Sequence, residues 1–398
     1  MAEQGDRSVI VASILSIIGF VLTAAVTQTK GLRLGGAILV PTLVVYALKD
    51  FTTLPVFVLS TAVAYFILWQ AKERTLVYGR DEFLVALAGG ALVPMIGYFA
   101  LVTFWPAVLE VNPLVFVGSI LPGLAAYNVA QTKPEYRRQD LLYTAGLIVG
   151  LVLLGGVLIA PPTARAVGDL TPLILFAETS DVATLRDAVV AGYLAPNIDV
   201  RSTIVLFFLV GMALSELVRR EFGIRIGIIS MALLALFSLV SRWLLVLFLL
   251  SFAVSLAAVW LIHLSTLLYG RVLLSLGCGV GSVAALLLAL ELPIIRGFSA
   301  LFVGVIAGVM AYAIHTTPPR ERRQQPFLAV GTFLGMLLLI RAVVDPFRRG
   351  LLQEFTAIHV AVAGLTIVAC LAIAYRLRIP KPDDEDVLSA SVLSGGEG

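Results

Sequence analysis

The sequence predicts an all-α, polytopic membrane protein of about 12–13 transmembrane helices in two parallel six-helix repeats. Three observations predict it. Hydrophobic residues make up 60% of the 398 positions and charged residues 13%, with a mean hydropathy of +1.01. That is more apolar surface than a soluble domain can bury. Windows of roughly 18–22 apolar residues recur along the chain, the length a helix needs to cross about 30 Å of hydrocarbon. The stretch Thr75-Leu76-Val77-Tyr78-Gly79-Arg80 returns 191 residues later as Thr266-Leu267-Leu268-Tyr269-Gly270-Arg271. A transmembrane β-barrel is excluded, because runs such as Trp243-Leu244-Leu245-Val246-Leu247-Phe248-Leu249-Leu250 do not alternate.

The repetition extends in both directions. Gly31-Leu32-Arg33-Leu34-Gly35 pairs with Gly223-Ile224-Arg225-Ile226-Gly227 at an offset of 192, and Phe116-Val117-Gly118 with Phe302-Val303-Gly304 at 186. Tyr127, Thr132, Pro134, Arg137, Arg138 and Gln139 pair with Tyr312, Thr317, Pro319, Arg322, Arg323 and Gln324 at 185. Gly146 and Gly150 pair with Gly331 and Gly335 at the same 185. Small deletions account for the drift, so the chain reads as a tandem duplication. Six spans per copy give both copies one orientation, a built-in pseudo-dimer about an axis along the membrane normal.

The first span, 8–27, holds the charge-free run from Val9 to Val26. It is longer than a signal-peptide core, and its counterpart lies inside the chain, so it reads as a retained span. Spans at 31–48, 52–70, 82–103, 112–130 and 141–160 complete a first repeat over 1–161. Segment 162–202 is expected as an extracytoplasmic linker, where Ser180-Asp181 caps a short surface helix beginning at Val182. The second repeat, 203–345, places spans at 203–219, 223–240, 243–262, 272–290, 297–314 and 326–343. An additional helix near 355–375, within 346–375, has no partner in the first copy. Residues 376–398, with Asp383-Asp384-Glu385-Asp386 between proline and serine-glycine stretches, read as a polar disordered cytoplasmic tail.

Eighteen of the 28 Lys and Arg residues fall on one side of this topology and ten on the other. The richer side is expected to face the cytoplasm of a cell-membrane protein, with the N-terminus outside and the C-terminus inside. Arg341, Arg348 and Arg349 run against the rule.

Several chemistries are excluded by absent motifs. There is no G-x-x-x-x-G-K-[ST] nucleotide loop, no H-E-x-x-H and no G-x-S-x-G. His263, His315 and His359 lack ligand spacing, so no metal or other cofactor is expected. Cys278 and Cys370 lie in apolar spans and read as packing residues. Membrane lipid, and no nucleic acid, is the expected surrounding.

What remains is a basic rim of paired features. Arg33 and Arg225 follow the first span of each copy, and Tyr78-Gly79-Arg80 and Tyr269-Gly270-Arg271 precede the fourth. Lys133, Arg137 and Arg138, and Arg320, Arg322 and Arg323, precede the sixth. Guanidinium groups grip carboxylates and phosphates in bidentate fashion, which suits an anionic polymer, nucleotide or headgroup. The same residues would also serve simply as interface anchors. A second set, Gly35, Gly36, Pro41, Gly118, Pro122 and Gly123, can break helices or let them approach closely. The second copy keeps Gly227, Gly304 and Gly308 but has Leu233 opposite Pro41, so any cavity is expected to be asymmetric. Glu216 and Glu291 sit near span ends and read as interfacial acids, not a proton relay.

The run Thr29-Lys30-Gly31, then Gly35 to Pro41, then Leu76-Val77-Tyr78-Gly79-Arg80, then Gly118 to Leu124, resembles the PgsC/CapC family. These are small integral-membrane subunits of poly-γ-glutamate synthase and capsule-export complexes. The family's V-P-G and V-P-G-L span motifs stand here as Val40-Pro41-Thr42 and Leu121-Pro122-Gly123-Leu124, and the Tyr-Gly-Arg loop matches outright. The resemblance is clear over about 8–160 and reaches 203–345 only through the internal repeat. It implies a non-catalytic or accessory subunit beside an ATP-dependent amide ligase of the PgsB/CapB type, often with a CapA-type membrane-anchored protein. It also implies that Arg33, Arg80, Arg225 and Arg271 meet the growing polycarboxylate or the ligase, and that the Gly/Pro spans form its exit path. A stand-alone transporter or permease for a small anion, and a structural scaffold, are the alternative readings.

Overall fold

The computed structural model describes residues 9–104, 120–167, 174–178, 180–190, 201–224, 227–294 and 297–378. The first half contributes α1 (Val9–Lys30), α2 (Leu39–Lys49), α3 (Thr53–Arg74), α4 (Arg80–Phe104), α5 (Leu121–Gln131) and α6 (Pro134–Leu158). Short helices α7 (Pro161–Val167) and α8 (Asp181–Leu185) follow. The second half contributes α9 (Arg201–Phe222), α10 (Ile228–Val240), α11 (Arg242–Thr266), α12 (Gly270–Glu291) and α13 (Gly297–Thr316). The chain then forms α14 (Pro319–Arg322), α15 (Gln325–Arg341) and α16 (Ala357–Arg376). This is an all-α polytopic membrane fold. Seven of the described helices are long and apolar enough to cross a bilayer unaided.

The outer faces of the long helices explain why the chain needs lipid. Val58, Leu59, Leu153, Leu249, Leu261 and Leu365 are each more than half exposed. In water such a surface would drive aggregation; against lipid tails it is at no disadvantage.

Two expected spans are shorter than predicted. Residues 31–38 form turns, leaving α2 with 11 residues, and α10 has 13. At 1.5 Å per residue these reach only about 16 Å and 20 Å, well short of the bilayer core. Positive φ at Leu34, Gly35 and Gly36 is the local cause in the first copy. The shortened α2 is tolerated because it never meets lipid. It is enclosed by α1, α3, α5, α6 and α8, and nine of its residues are buried. Irregular backbone at membrane depth is stable where protein surrounds it.

The two halves pack by the same scheme. In the first, α3, α4 and α5 pack mutually while α1 and α6 flank α2; in the second, α11, α12 and α13 pack mutually while α9 and α15 flank α10. Between halves the contacts are reciprocal: α1 lies against α12, and α9 against α4. One apolar core runs through both, with Leu15, Leu43 and Leu48 in the same cluster as Leu244, Leu247 and Val303. Tyr46 adds ring contacts to Phe298 and Phe302 at 5.0 and 5.5 Å.

Glycines set the closest crossings. A Cβ on Gly90 would fall 2.1 Å from Gly123 N, and one on Gly281 would fall 2.3 Å from Gly304 O. Backbone therefore touches backbone at the α4–α5 and α12–α13 contacts, as small residues permit.

The linker is more than a tether. Ile174, Leu175, Phe176, Val182 and Ala183 are buried in the main core. Ser180 occupies the N-cap position of α8 without a side-chain capping bond. Asp181 instead accepts from Phe51 N at 2.7 Å, fastening α8 over the end of α2. The loop after α15 fastens the end of α10 similarly, with Phe347 N and Leu351 N donating to Leu239 O and Ser238 O at 3.0 and 2.9 Å. The physical reason is common to both: a half-length helix ends inside the protein, and its last carbonyls and the chain beyond it need partners.

Candidate functional site

The two Tyr-Gly-Arg loops share a left-handed glycine but differ just before it, where Thr75 is extended with φ of −140° while its counterpart Thr266 is still helical and Leu267 has φ of +55°. Gly79 and Gly270 both have φ of +62°, and a Cβ at either would meet nothing within 4 Å. Glycine is there for the left-handed turn, not for space. Tyr78 and Tyr269 point outward, 78% and 80% exposed. Gly79→Ala and Gly270→Ala should each cost about 1–2 kcal/mol of stability from backbone strain alone. Thermal melting of the detergent-solubilised protein checks this, and an unchanged midpoint in either variant contradicts it.

The arginines that follow have different partners. Arg80 Nε donates to Glu216 Oε2 at 3.1 Å and Nη2 to Ser215 Oγ at 3.1 Å. Arg219 Nε reaches the same Oε2 at 2.9 Å, and Arg220 Nε reaches Oε1 at 3.0 Å. Three guanidinium groups thus hold one carboxylate that is only 8% exposed. Glu216 lies near the end of its helix, as the sequence suggested, but is buried: the end of α9 lies against the start of α4 and carries its carboxylate into Arg80. Beside it, Lys72 and Gln131 hold the buried Glu82 at 3.1 and 2.6 Å, tying α3, α4 and α5 together.

Arg271 follows the glycine of the second loop in α12, and no carboxylate of the described residues is bonded to it. It lines a cavity of about 300 Å³ with Thr27, Gln28 and residues 266–270 and 272. Arg33, Tyr127, Asp140 and Tyr312 lie within electrostatic reach of its guanidinium.

Arg33 belongs to the turn that interrupts the expected 31–48 span. Asp140, 1% exposed, accepts from Arg33 N at 2.7 Å and Leu34 N at 2.9 Å through one oxygen. Its second oxygen is buried without a protein partner. Asn128 donates to Gly35 O at 3.0 Å and Leu124 O at 2.8 Å. A Cβ on Gly36 would sit 3.0 Å from the Asn128 amide nitrogen. Gly35 and Gly36 therefore make the helix break. Pro41 lies in the first turn of α2, buried, where a Cβ on Gly19 of α1 would approach within 2.8 Å of its own Cβ. Pro122 lies in the first turn of α5, where a missing N–H costs nothing, and Gly123 follows it at the α4 crossing. Gly118 and Arg225 lie outside the described residues.

Asp140 and Asn128 were not singled out by the sequence, although both organise this turn. Asp140 follows the basic Arg137-Arg138-Gln139, where an acid looks like ordinary interfacial charge. The basic loops themselves are partly structural. Arg137 donates to Thr132 O at 2.9 Å and Ala130 O at 3.3 Å; its counterpart Arg322 donates to His315 O at 2.9 Å and Thr317 O at 3.0 Å. Each folds back on the carbonyls ending the preceding helix. His263 and His315, unrelated by sequence spacing, stack edge to face at 4.9 Å. Cys278 and Cys370 are buried free thiols.

The fold and the site together define a polytopic α-helical membrane protein whose paired arginine loops gather at one end of the helices. Residues 18–138, which include the 31–38 turn, Tyr78-Gly79-Arg80, Asn128 and most of α1, match the capsule biosynthesis CapC family. The similarity is confined to this stretch of the first half. No curated protein and no solved structure matches the chain.

Proposed function

We propose that the chain is the integral-membrane subunit of a synthase and export complex for poly-γ-glutamate or a similar anionic polymer. In this reading it works with an ATP-dependent amide ligase of the PgsB/CapB type and a CapA-type protein. The observation that carries it is the capsule-biosynthesis CapC match over 18–138, the segment that contains Arg33 and Arg80. The sequence has no nucleotide-binding loop of its own, so activation of the monomer falls to a partner. The arginine-bearing end faces the cytoplasm, where that partner and the nascent polyanion would be, with the N-terminus outside. The two halves act as a fused pseudo-dimer of the CapC unit. The repeated helix packing and the reciprocal α1–α12 and α4–α9 contacts support this.

The test is affinity purification of the tagged protein from native membranes. A ligase bearing a nucleotide-binding loop should come with it. A clean eluate, under conditions that preserve other membrane complexes, sinks the reading and leaves the small-anion permease in its place.

A further inference from the structure

The two Tyr-Gly-Arg loops share their left-handed glycine, yet one is filled and the other is not. The first is closed by the chain itself, because the Glu216 carboxylate occupies the Arg80 guanidinium and Ser215 takes its second arm. Residue for residue along the 22-residue helices α1 and α9, Thr23, Ala24, Thr27 and Gln28 take the places of Ser215, Glu216, Arg219 and Arg220. The carboxylate of one half is a methyl group in the other. Thr27 and Gln28, in the places of Arg219 and Arg220, line the cavity of about 300 Å³ that has Arg271 in its wall. Thr23, in the place of Ser215, is 1% exposed and its hydroxyl has no hydrogen-bond partner.

We propose that the Arg271 cavity is a carboxylate-binding site, the open counterpart of the Arg80 site that Glu216 permanently occupies. The ligand class follows from the filled site, where the group held by the same loop is a carboxylate on a short aliphatic arm. Local charge agrees: Arg33 and Arg271 outweigh Asp140, which already accepts two backbone N–H bonds. A guanidinium with no anionic partner among the described residues, at the wall of a partly enclosed space, is a receptor for one. The volume is at the small end of ligand sites and fits a single short carboxylate-bearing unit. This names the ligand class of the arginine-bearing end and rests on the reading that this end meets a polyanion. It also makes the chain functionally asymmetric: one half binds, and the other has its site blocked by its own side chain.

Isothermal titration calorimetry on the full chain in detergent tests this, with glutarate as the probe because it carries a carboxylate on the same two-carbon arm as Glu216. Wild-type protein should bind one glutarate per chain, with inorganic phosphate and short-chain phosphatidylglycerol competing at least tenfold more weakly. Arg271→Gln should weaken binding at least tenfold. Ala24→Glu, which supplies the missing carboxylate from within, should abolish it. Glu216→Ala, which removes the blocking arm, should open the first site and raise the stoichiometry to two. Circular dichroism melting confirms that each variant is folded, and Arg271→Gln, at a partly exposed position, decides the matter if Ala24→Glu does not fold. No glutarate binding by wild type, binding that survives Arg271→Gln, or equal displacement by phosphate or lipid overturns the proposal. The calorimetry uses no ligase, so a clean eluate in the purification and a flat titration are separate failures.

Discussion

Gly308→Ala and Gly123→Ala should each remove most of the monodisperse protein recovered after detergent extraction. A Cβ on Gly308 would fall 2.4 Å from Cys278 Cα and 2.5 Å from Gly277 O. One on Gly123 would fall 2.3 Å from Ala86 O and 2.6 Å from Leu87 Cα. These neighbours are backbone, so no rotamer change relieves the clash. Restoring a contact of about 3.5–4 Å requires the helices to separate by more than 1 Å along the whole crossing. Overpacking costs about 1–3 kcal/mol where side chains can adjust, and here they cannot, so the upper end is the expectation. The same substitution at Gly146, Gly150 or Gly335 meets nothing within 4 Å and should be neutral or slightly stabilising, since Ala is the better helix former. Size-exclusion profiles and melting midpoints of the two groups check the contrast. Equal behaviour of Gly308→Ala and Gly146→Ala would sink it.

The features legible in the sequence are those that depend on neighbours along the chain. The spans at α3, α6, α11, α12, α13 and α16 were readable because each is a continuous apolar run long enough to cross a bilayer. The Tyr-Gly-Arg loops were readable because their polar residues interrupt such runs. What failed depends on residues far apart. A hydropathy window over 31–48 averages across Gly35 and Gly36 and reports one span, although the backbone breaks there. Asp140 was not singled out because the groups it holds, Arg33 N and Leu34 N, are 107 and 106 residues away. Glu216 read only as an interfacial acid for the same reason, with its partner Arg80 136 residues upstream. The difference between Arg80 and Arg271 was invisible in their own loops. It is written in α9 and α1, at Glu216 and Ala24, and becomes visible only when each loop is placed against the other half's first helix.

Asp140→Ala should be the most damaging polar substitution in the first half. Its carboxylate is buried and accepts two backbone N–H groups from a turn that no regular helix could satisfy. One of those residues, Leu34, holds a φ of +50°, a left-handed conformation that costs a non-glycine residue about 1–2 kcal/mol. The carboxylate is what compensates that strain. Without it, two buried N–H donors lose their partner, and each orphaned group costs about 1–3 kcal/mol. A net loss of roughly 3 kcal/mol follows, enough to melt the 31–38 turn before the rest of the protein. Asp140→Asn keeps a carbonyl oxygen of the same shape at the same place and should lose less than half as much. Hydrogen exchange gives the local readout: Arg33 and Leu34 amides should exchange at least tenfold faster in Asp140→Ala, with α11 to α13 unchanged. Protection of those two amides at the wild-type level would mean that the turn is held by Asn128 and the glycines alone. The geometry argues against that outcome, because Asn128 reaches the carbonyl of Gly35 and neither of the two N–H groups.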